Sequence, residues 1–549
     1  MRQAGQPGWL GESSGWANQL GNLGNHCDPG QVTDAVVVES VSRTSRPVTP
    51  PGVRHAWLGW AGPLLVTGFG AFLRFDRLSV PHAVVFDETY YVPDAYGILR
   101  HGVEINHVKN VNELLIRSST HILIGTQGEY VAHPPLGKIM IAAGEWLFGL
   151  TPFGWRFAAA LVGSLAILMT ARIARRMSGS TAVGCVAGFL LAVDGLEFVL
   201  SRTAILDIFL MFWVLAAFGL IVIDRDRARD RLAEVTGLGG APEAGRLRLG
   251  FRWRLVLAGI CLGCACATKW NGAWYLPAFA GLVLASDLAA RPGWPSAPVR
   301  SRVRSVLRSD GPWLPVWFGL APLAAYVASW TGWFATAYGY DRNGTALNGG
   351  HPASTILAWL QYQKSMLGFG LGLDVGHVYQ SSPLGWLLLT RPISLYSSCL
   401  PANLKCGSSG TTEQEVLAIG TPLIWWAASA ALVVCLVWLI RRPDWRPAAL
   451  LTGVAAGWLP WIWFYFHDHR TEFYYYAVVF DPFLVIALAL CLKAVARPDW
   501  SGRRSIGMLL CAGYLLAVFA NFIYLYPVLA ARVLPFSDWA SRMWFHSWI

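Results

Sequence analysis

The stretch TAILDIFLMFWVLAAFGLIVI covers residues 203–223 and carries a single charged side chain, that of Asp207. At 1.5 Å per residue, a helix of this length spans about 30 Å, the thickness of the hydrocarbon core of a bilayer. The whole chain has the same character, since 54% of its 549 residues are hydrophobic and only 14% are charged. This composition excludes an ordinary soluble enzyme and predicts an all-α polytopic membrane protein.

Further apolar runs along the chain predict about eleven transmembrane helices. Segment 136–150 is not counted, because it carries Lys138 and Glu145 and covers only about 22 Å as a helix, so we expect it to lie at the membrane interface. The predicted spans are residues 57–73, 153–171, 181–194, 203–223, 255–268, 272–289, 313–334, 418–440, 448–466, 477–492 and 505–526.

The net charge of +11 is explained by orientation. Most of the 43 Lys and Arg residues lie in the tail and in every second loop, for example in RIARR at residues 172–176. The positive-inside rule places these surfaces and the N-terminus in the cytoplasm, with the C-terminus extracytoplasmic. The charge surplus is therefore a topology signal and predicts no nucleic-acid partner.

This topology divides the chain into four parts. Residues 1–55 are rich in Gly, Ser, Asn, Pro and Thr without apolar periodicity, which predicts a disordered cytoplasmic tail. An N-terminal transmembrane module follows over residues 56–334, with a long first outer loop at 74–153. Residues 335–417 form a second outer loop, and residues 418–549 a C-terminal transmembrane region of four helices. Long loops often carry function.

The first outer loop contains VVFDETYYVPDAY, which places two adjacent carboxylates, Asp87 and Glu88, beside Tyr90 and Tyr91. One carboxylate can act as a general base while the aromatic rings exclude water. The alternative is a solvated, charged loop without a role in chemistry.

The same loop ends with EYVAHPPLGK, in which His133 precedes two prolines and Lys138 follows them. The prolines stiffen the turn and can start a helix. His133 is a candidate for binding a polar substrate, and the alternative is a rigid turn with an incidental histidine. No second His or Cys at ligand spacing supports a zinc site.

The segment DGLEFVLSRTAILD, residues 194–207, holds four ionisable side chains in an otherwise apolar run. Each such group costs about 2.5 to 3.5 kcal/mol at membrane depth, so it is expected to pair or to serve a site. Arg202 is a candidate for binding a lipid phosphate. Lys269 and Arg470 occupy outer turns between later spans, where each could bind substrate or simply anchor the interface.

All of these clusters fall on the outer side in a topology assigned from charge alone. This convergence predicts a site that meets a membrane-embedded substrate and an aqueous one together.

The motifs FDETYY, HPPLGK, LEFVLSRTAILD, KWNG and WLPW followed by His and Arg resemble those of the protein O-mannosyltransferases, which are membrane glycosyltransferases of the GT-C fold. The resemblance runs from about residue 57 to the C-terminus. Residues 371–396 are similar to the start of the family's C-terminal membrane region. The second outer loop is too short for the MIR domain of eukaryotic members, so the chain resembles the bacterial, actinobacterial branch.

The resemblance implies transfer of mannose, with inversion, from polyprenyl (dolichyl-type) phosphate mannose to Ser or Thr hydroxyls of unfolded secretory proteins. The reaction would take place on the extracytoplasmic side of the plasma membrane. Asp87 matches the family's catalytic aspartate and Glu88 its neighbour, while donor phosphate binding is expected from Arg202, His133 and Arg470. Further candidates for the substrate pocket are Tyr90, Tyr91, Lys138, Glu197, Lys269 and His377.

The reaction that the resemblance implies requires no cofactor, and no metal ligands are predicted. The resemblance is also compatible with a divalent cation, such as Mg²⁺ or Mn²⁺, that bridges the phosphate. Coupling to the Sec translocon would suit an enzyme that needs unfolded acceptors.

Three other functions are alternatives to this one. A GT-C transferase acting on a lipid or cell-wall glycan, of the aminoarabinose or arabinofuranosyl type, would share the acid pair and the lipid phosphate donor. A transporter would place its polar residues near the membrane midplane, and a scaffold would leave Arg202 and the acid pair unexplained. HPPLGK followed by SRTAILD favours the protein acceptor.

Cys399 and Cys406 lie in the second outer loop, an oxidising location in this topology. We predict a disulfide between them.

Overall fold

The computed structural model describes residues 57–237, 251–290, 298–401, 407, 410–496 and 504–549. The predicted tail and Cys406 lie outside the described residues. The disordered state of the tail and the Cys399–Cys406 disulfide therefore stay predictions.

The described part of the chain is mostly helical, as the apolar runs predict. Short 3₁₀ segments extend several helices, among them Trp270–Trp274 and Tyr474–Phe480. In chain order the helices are α1 (Leu58–Phe75), α2 (Glu88–His101), α3 (Val111–Ile116), α4 (Leu136–Phe148), α5 (Pro152–Ser178), α6 (Thr181–Ala192), α7 (Gly195–Leu200), α8 (Leu206–Gly237), α9 (Trp253–Thr268), α10 (Tyr275–Ala290), α11 (Val299–Ser309), α12 (Ala321–Ser329), α13 (Thr331–Ala335), α14 (Thr355–Leu371), α15 (Pro422–Arg441), α16 (Trp445–His467), α17 (Asp481–Val495), α18 (Arg504–Leu529) and α19 (Phe536–Arg542).

Seven helical segments within the described residues are long and apolar enough to cross a membrane. Each predicted span coincides with helix, but α6 and α9 are shorter, and the span at 313–334 is divided into a 3₁₀ turn, a π turn, α12 and α13. The number of eleven spans and the orientation of the termini stay predictions. The seven segments are Pro152–Ser178, Leu206–Glu234, Trp270–Ala290, Pro422–Arg441, Trp445–His467, Tyr474–Val495 and Ile506–Leu529.

Two small antiparallel sheets interrupt the helical pattern, and apolar span counting did not anticipate them. Strands β1 (Ile105–His107) and β2 (Leu123–Gly128) pair within the first loop. In the second loop β3 (Ile393–Leu400) pairs with β4 (Thr412–Ala418), and β4 pairs with β5 (Val533–Pro535). The second sheet therefore ties the second loop to the C-terminal segment.

Small residues let α9 pack very closely against the segment before and within α12. A Cβ atom at Gly259 would lie 1.9 Å from the carbonyl oxygen of Trp317, and one at Gly263 would lie 2.3 Å from that of Pro322. Such close backbone approach is a common way for helices to associate in membranes. This close packing fixes the position of α9, which ends directly before Lys269.

Candidate active site

Asp87 directly precedes α2, at the end of the turn that follows α1. Its Oδ2 atom accepts hydrogen bonds from the hydroxyls of Tyr91 and Tyr475, both at 3.3 Å. Burial raises the pKa of Asp87 to about 6, an effect that the charge of Lys269 opposes and that of Asp207 reinforces. At neutral pH Asp87 is therefore mostly ionised, yet it is more basic than an exposed aspartate.

An aromatic wall stands next to this carboxylate. The ring of Phe86 packs edge-on against Tyr475, Phe473 and His377, with centroid distances of 5.9, 6.1 and 6.2 Å. The backbone of Phe86 has φ +46°, a left-handed conformation that costs a non-glycine residue about 1 to 3 kcal/mol. The surrounding structure must hold this turn in place for Asp87 to keep its position.

Glu88 supplies that support. Its carboxylate is fully buried, with Oε1 accepting from Arg156 Nε at 2.7 Å and from the backbone N–H of Ala204 at 3.0 Å. The other oxygen, Oε2, accepts from Arg156 Nη2 at 2.8 Å and from the N–H of Val85 at 2.9 Å. Because both oxygens are occupied, the structure points to a positioning role for Glu88 in place of the catalytic role suggested by the motif.

Arg156 fixes the rest of the turn as well. Its guanidinium donates to the carbonyl oxygens of Leu78, Pro81 and Ala83, at 3.4, 2.9 and 2.7 Å. One side chain of α5 therefore holds the chain between Leu78 and Glu88. Sequence reasoning missed this residue, although a charge in the apolar run 153–171 is the kind of signal that had singled out Arg202.

Arg202 has a different environment from the one predicted. Its Nη1 donates to the carbonyl oxygens of Leu73, Arg74 and Asp76 at 3.0, 2.8 and 2.6 Å, and Nη2 donates to that of Arg77 at 2.9 Å. These carbonyls belong to the last turn of α1 and to the two residues that follow it, at the end where the helix dipole is negative. The structure thus shows Arg202 capping α1, and both of its terminal nitrogens are already bound to the protein. This corrects the expected geometry of a guanidinium open to a phosphate.

Two more predicted pocket residues are buried in ion pairs. Glu197 pairs with the guanidinium of Arg74 and accepts from the hydroxyl of Ser201 at 2.9 Å, and both charged side chains are fully buried. These contacts tie α7 to α1. The structure therefore places Glu197 within the helix packing, not on an open pocket surface.

Lys138 joins α4 to α2 and β1. Its Nζ lies 2.5 Å from Glu104 and 3.4 Å from Asp94, and the side chain is almost completely buried. Burial alone would lower the pKa of Lys138, but Glu104 and Asp94 raise it above its ordinary value. Lys138 is therefore a charged structural link in the first loop.

Lys269 and Asp207 form an ion pair next to Asp87. Lys269 Nζ lies 2.8 and 3.0 Å from the two carboxylate oxygens of Asp207. The same ammonium lies 4.2 Å from the ring centroid of Tyr476 and 5.5 Å from that of Tyr475, within range of cation–π attraction. Because Tyr475 also donates to Asp87, it links this cation to the candidate base.

Arg470 brings a second cation to the same aromatic group. Its Nε donates to the carbonyl oxygen of Gly370 at 2.7 Å and its Nη1 to that of Thr471 at 3.1 Å. The guanidinium carbon lies 5.1 Å from the ring centroid of Trp461 and 5.9 Å from that of Tyr476. Nη2 has no partner in the part of the chain that the structure describes, so it is available to an anion.

His133 completes the group on the side of Tyr91, with the two ring centroids 6.2 Å apart. Its pKa is lowered well below the ordinary value by burial and by the charges of Lys269, Lys138 and Arg470. The imidazole is therefore neutral near pH 7 and can donate or accept one hydrogen bond without adding charge.

The last two predicted residues lie at the edge of this group. His377 is exposed and packs against Phe86 and Phe473, so it forms a rim next to the aromatic wall. Tyr90 is 60% exposed, and its backbone N–H donates to the carbonyl oxygen of Asp87 at 3.0 Å. In the described residues the hydroxyl of Tyr91, and not that of Tyr90, binds the Asp87 carboxylate.

Among the described residues, no three His, Cys, Asp or Glu side chains converge in a way that could hold a metal ion. Asp207 already pairs with Lys269, and Asp87 already accepts from two tyrosines. The described residues around Asp87 therefore do not fit a divalent cation site.

Comparison with known proteins identifies the family. A sequence profile described as "Dolichyl-phosphate-mannose-protein mannosyltransferase" matches residues 64–307, and one described as "C-terminal four TMM region of protein-O-mannosyltransferase" matches residues 356–548. The polyprenol-phosphate-mannose–protein mannosyltransferase of Mycobacterium tuberculosis is 36% identical over 522 residues, covering 91% of this chain and 94% of that protein. The chain belongs to the protein O-mannosyltransferase family. The protein of the same name from Corynebacterium glutamicum is 32% identical over 526 residues, which is 91% of this chain and 96% of that protein.

The fold agrees with this membership. The structure of the Saccharomyces cerevisiae protein O-mannosyltransferase Pmt1–Pmt2 complex bound to the sugar donor matches with a TM-score of 0.66 at 14% identity, covering 93% of this chain and 94% of that chain. The predicted GT-C fold and the predicted glycosyltransferase class are confirmed.

Proposed function

We propose that this protein transfers mannose from polyprenyl phosphate mannose to Ser or Thr hydroxyls of proteins. The observation that carries the proposal is the link from Asp87 through Tyr475 to Lys269, with Arg470 next to it. A base of raised pKa and two cations are what glycosyl transfer from a lipid phosphate needs at one place. The relatives that share most of the chain carry names with the same donor and acceptor class.

In this mechanism the acceptor hydroxyl oxygen forms a bond to the anomeric carbon of mannose, and the bond from that carbon to the phosphate oxygen breaks. The hydroxyl is far too weak an acid to be deprotonated beforehand, so its proton moves to Asp87 as the new bond forms. The products are the O-mannosyl protein and polyprenyl phosphate. Attack opposite the leaving phosphate gives inversion at the anomeric carbon.

The departing phosphate needs fixed positive charge. Lys269 and the free Nη2 of Arg470 can supply it, in place of Arg202, whose nitrogens are occupied by the end of α1. Preorganised charges of this kind commonly contribute a factor of about 10² to 10³ in rate. Neutral His133 can then bind a sugar hydroxyl or a phosphate oxygen without competing for charge.

We further propose that these two cations do the work that a divalent cation would otherwise do. Treatment of the purified enzyme with EDTA is expected to leave mannosyl transfer unchanged. Loss of transfer that returns with Mg²⁺ or Mn²⁺ would contradict this part of the proposal.

The site is proposed to open on the extracytoplasmic side of the plasma membrane. The support is the charge distribution, because the arginine-rich loops lie at the other ends of the spans that lead to Asp87 and Lys269. Acceptor proteins would then be met as unfolded chains emerging from a translocon of the Sec type.

The test is a donor and acceptor screen with the purified full-length protein. Polyprenyl phosphate mannose labelled in the sugar is offered with a Ser/Thr peptide, with the same peptide carrying Ala in place of Ser and Thr, and with a lipid glycan acceptor. We expect label on the Ser/Thr peptide alone. Label on the lipid acceptor alone would overturn the proposal in favour of a lipid or cell-wall glycan transferase.

A further inference from the structure

Helix α11, Val299–Ser309, has three distinct faces. One face is buried against the protein, and the two others are formed by rows spaced four residues apart, which lie on adjacent strips of a helix. The buried face consists of Arg302, Ser305 and Val306. The apolar row is Val299, Val303 and Leu307, and the basic row is Arg300, Arg304 and Arg308.

The two rows outside the buried face are open to the surroundings. Val299 is 64% exposed and Leu307 is 51% exposed, and the three arginines of the basic row are all exposed. Both rows line a shallow groove of about 380 Å³. None of the three arginines has a carboxylate partner in the part of the chain that the structure describes.

This helix lies at the membrane face opposite Asp87. The segment Trp270–Ala290 starts beside Lys269, and its 21 residues carry the chain about 31 Å away before α11 begins. Aromatic side chains typical of a membrane–water interface lie at this level. Trp313, just after α11, is 43% exposed and contacts the exposed Phe251, with ring centroids 6.0 Å apart.

We propose that α11 lies in the cytoplasmic interface and binds the head groups of anionic phospholipids such as phosphatidylglycerol. The apolar row enters the acyl region, and the neighbouring basic row meets the phosphodiester charges at head-group level. An interfacial helix requires this adjacency of an apolar and a cationic strip. Each arginine near an anionic surface strengthens binding by about 5-fold.

Neither segment 1–56 nor Asp310 supplies a surplus of negative charge for this row. The acidic residues of segment 1–56 are matched by an equal number of arginines. Asp310, at the end of α11, has interactions of its own, and its charge acts on Asp287. An anionic membrane surface is therefore the occupant that the charge pattern favours.

The experiment uses full-length protein in an uncharged detergent. Its unfolding temperature is followed during titration with dioctanoyl phosphatidylglycerol, dioctanoyl phosphatidylcholine or inorganic phosphate. The test variant is R300Q/R304Q/R308Q, and the control R227Q/R229Q/R442Q removes three exposed arginines that lie outside α11. A second variant, R300K/R304K/R308K, keeps the charge, and R304Q alone serves if the triple glutamine variant does not fold.

Phosphatidylglycerol is expected to raise the unfolding temperature at lower concentrations than phosphatidylcholine. The glutamine triple variant should need about a hundredfold more phosphatidylglycerol, whereas the control triple and the lysine variant should behave like the parent protein. An equal response to both lipids, or an equal loss in the control triple variant, would overturn the proposal. So would inorganic phosphate acting as strongly as the lipid.

Discussion

Two groups of charged residues lie side by side in this protein and differ in what they leave unbound. The positioning cluster consists of Glu88, Arg156, Arg74, Glu197 and Arg202, whose carboxylates and terminal guanidinium nitrogens bind mostly other groups of the chain. The reaction cluster consists of Asp87, His133, Lys269 and Arg470, which keep hydrogen-bonding capacity at the edge of the aromatic wall.

The contrast is sharpest between Asp87 and Glu88, which are adjacent in sequence and chemically alike. The carboxylate of Glu88 accepts from one arginine and two backbone N–H groups, while that of Asp87 accepts, among the described residues, only from two tyrosine hydroxyls at 3.3 Å. Buried charges with complete hydrogen bonding stabilise a geometry, and those with incomplete bonding can still exchange a proton or bind an anion. The residue type does not distinguish the two roles, but the number of hydrogen bonds that each carboxylate already accepts does.

The largest expected effect follows from removing the base. Asp87→Asn should lower kcat/KM for mannosyl transfer about a thousandfold, because the acceptor proton then has no receiver. Its unfolding temperature should stay close to that of the parent protein, since Asn can still accept from both tyrosines. Transfer measured with labelled donor checks the first statement and thermal unfolding the second. Retained activity would show that Asp87 is not the base.

The next effect concerns stability. Glu88→Ala leaves Arg156 buried without its charge partner and should lower the free energy of unfolding by about 3 kcal/mol. The matched control is Tyr90→Phe, a change at an exposed neighbouring side chain, which should have no effect. Thermal unfolding of both variants in the same detergent is the measurement. Equal behaviour of the two would mean that Glu88 does not hold the turn.

Replacement of a reaction-cluster cation should act on the donor. Lys269→Gln is expected to reduce kcat/KM about a hundredfold through loss of phosphate stabilisation. Arg202→Gln is the comparison variant, and it should lower the unfolding temperature while the folded enzyme keeps its KM for the donor. A selective rise of the donor KM in the Arg202 variant would return this arginine to the phosphate site.

The smallest effect is a change in pH dependence. Asp87 must be ionised to receive a proton, so kcat/KM should fall as the pH drops through about 6. Tyr475→Phe removes a hydrogen bond that stabilises the ionised form, worth about 1 kcal/mol, and should move this decline to higher pH. Tyr476→Phe, which keeps the ring beside Lys269 and lacks a bond to Asp87, should leave the profile in place. A profile that Tyr475→Phe does not move would show that this hydroxyl does not act on the base.

Much of the architecture is readable from local sequence. Spans follow from apolar length, and the gathering of FDETYY, KWNG and the tyrosine run follows from which ends of the spans they occupy. Both signals are local or additive along the chain. Strands β3 and β4 were not predicted, because each is shorter and less apolar than a membrane span.

The division of roles within the site could not be read in the same way. Arg202 meets the end of α1 across more than 120 residues of chain, and Glu88 meets Arg156 across 68. Such pairings depend on how helices pack, and no spacing in the sequence encodes them. The motifs predicted a catalytic role for Glu88, phosphate binding for Arg202 and a pocket position for Glu197, and they did not reveal the buried pairing that each of these side chains makes.

The ion pair between Lys269 and Asp207 also bears on turnover. In the proposed reaction the donor is a phosphodiester with one negative charge, whereas the spent carrier is a monoester with a charge nearer to −2 at neutral pH. The same cations would therefore retain the product more strongly than the substrate. When the product leaves, Lys269 can pair again with the carboxylate of Asp207, and this competition weakens the binding of the product. The carboxylate would act as a release device, and without it product inhibition by the carrier lipid should become more severe.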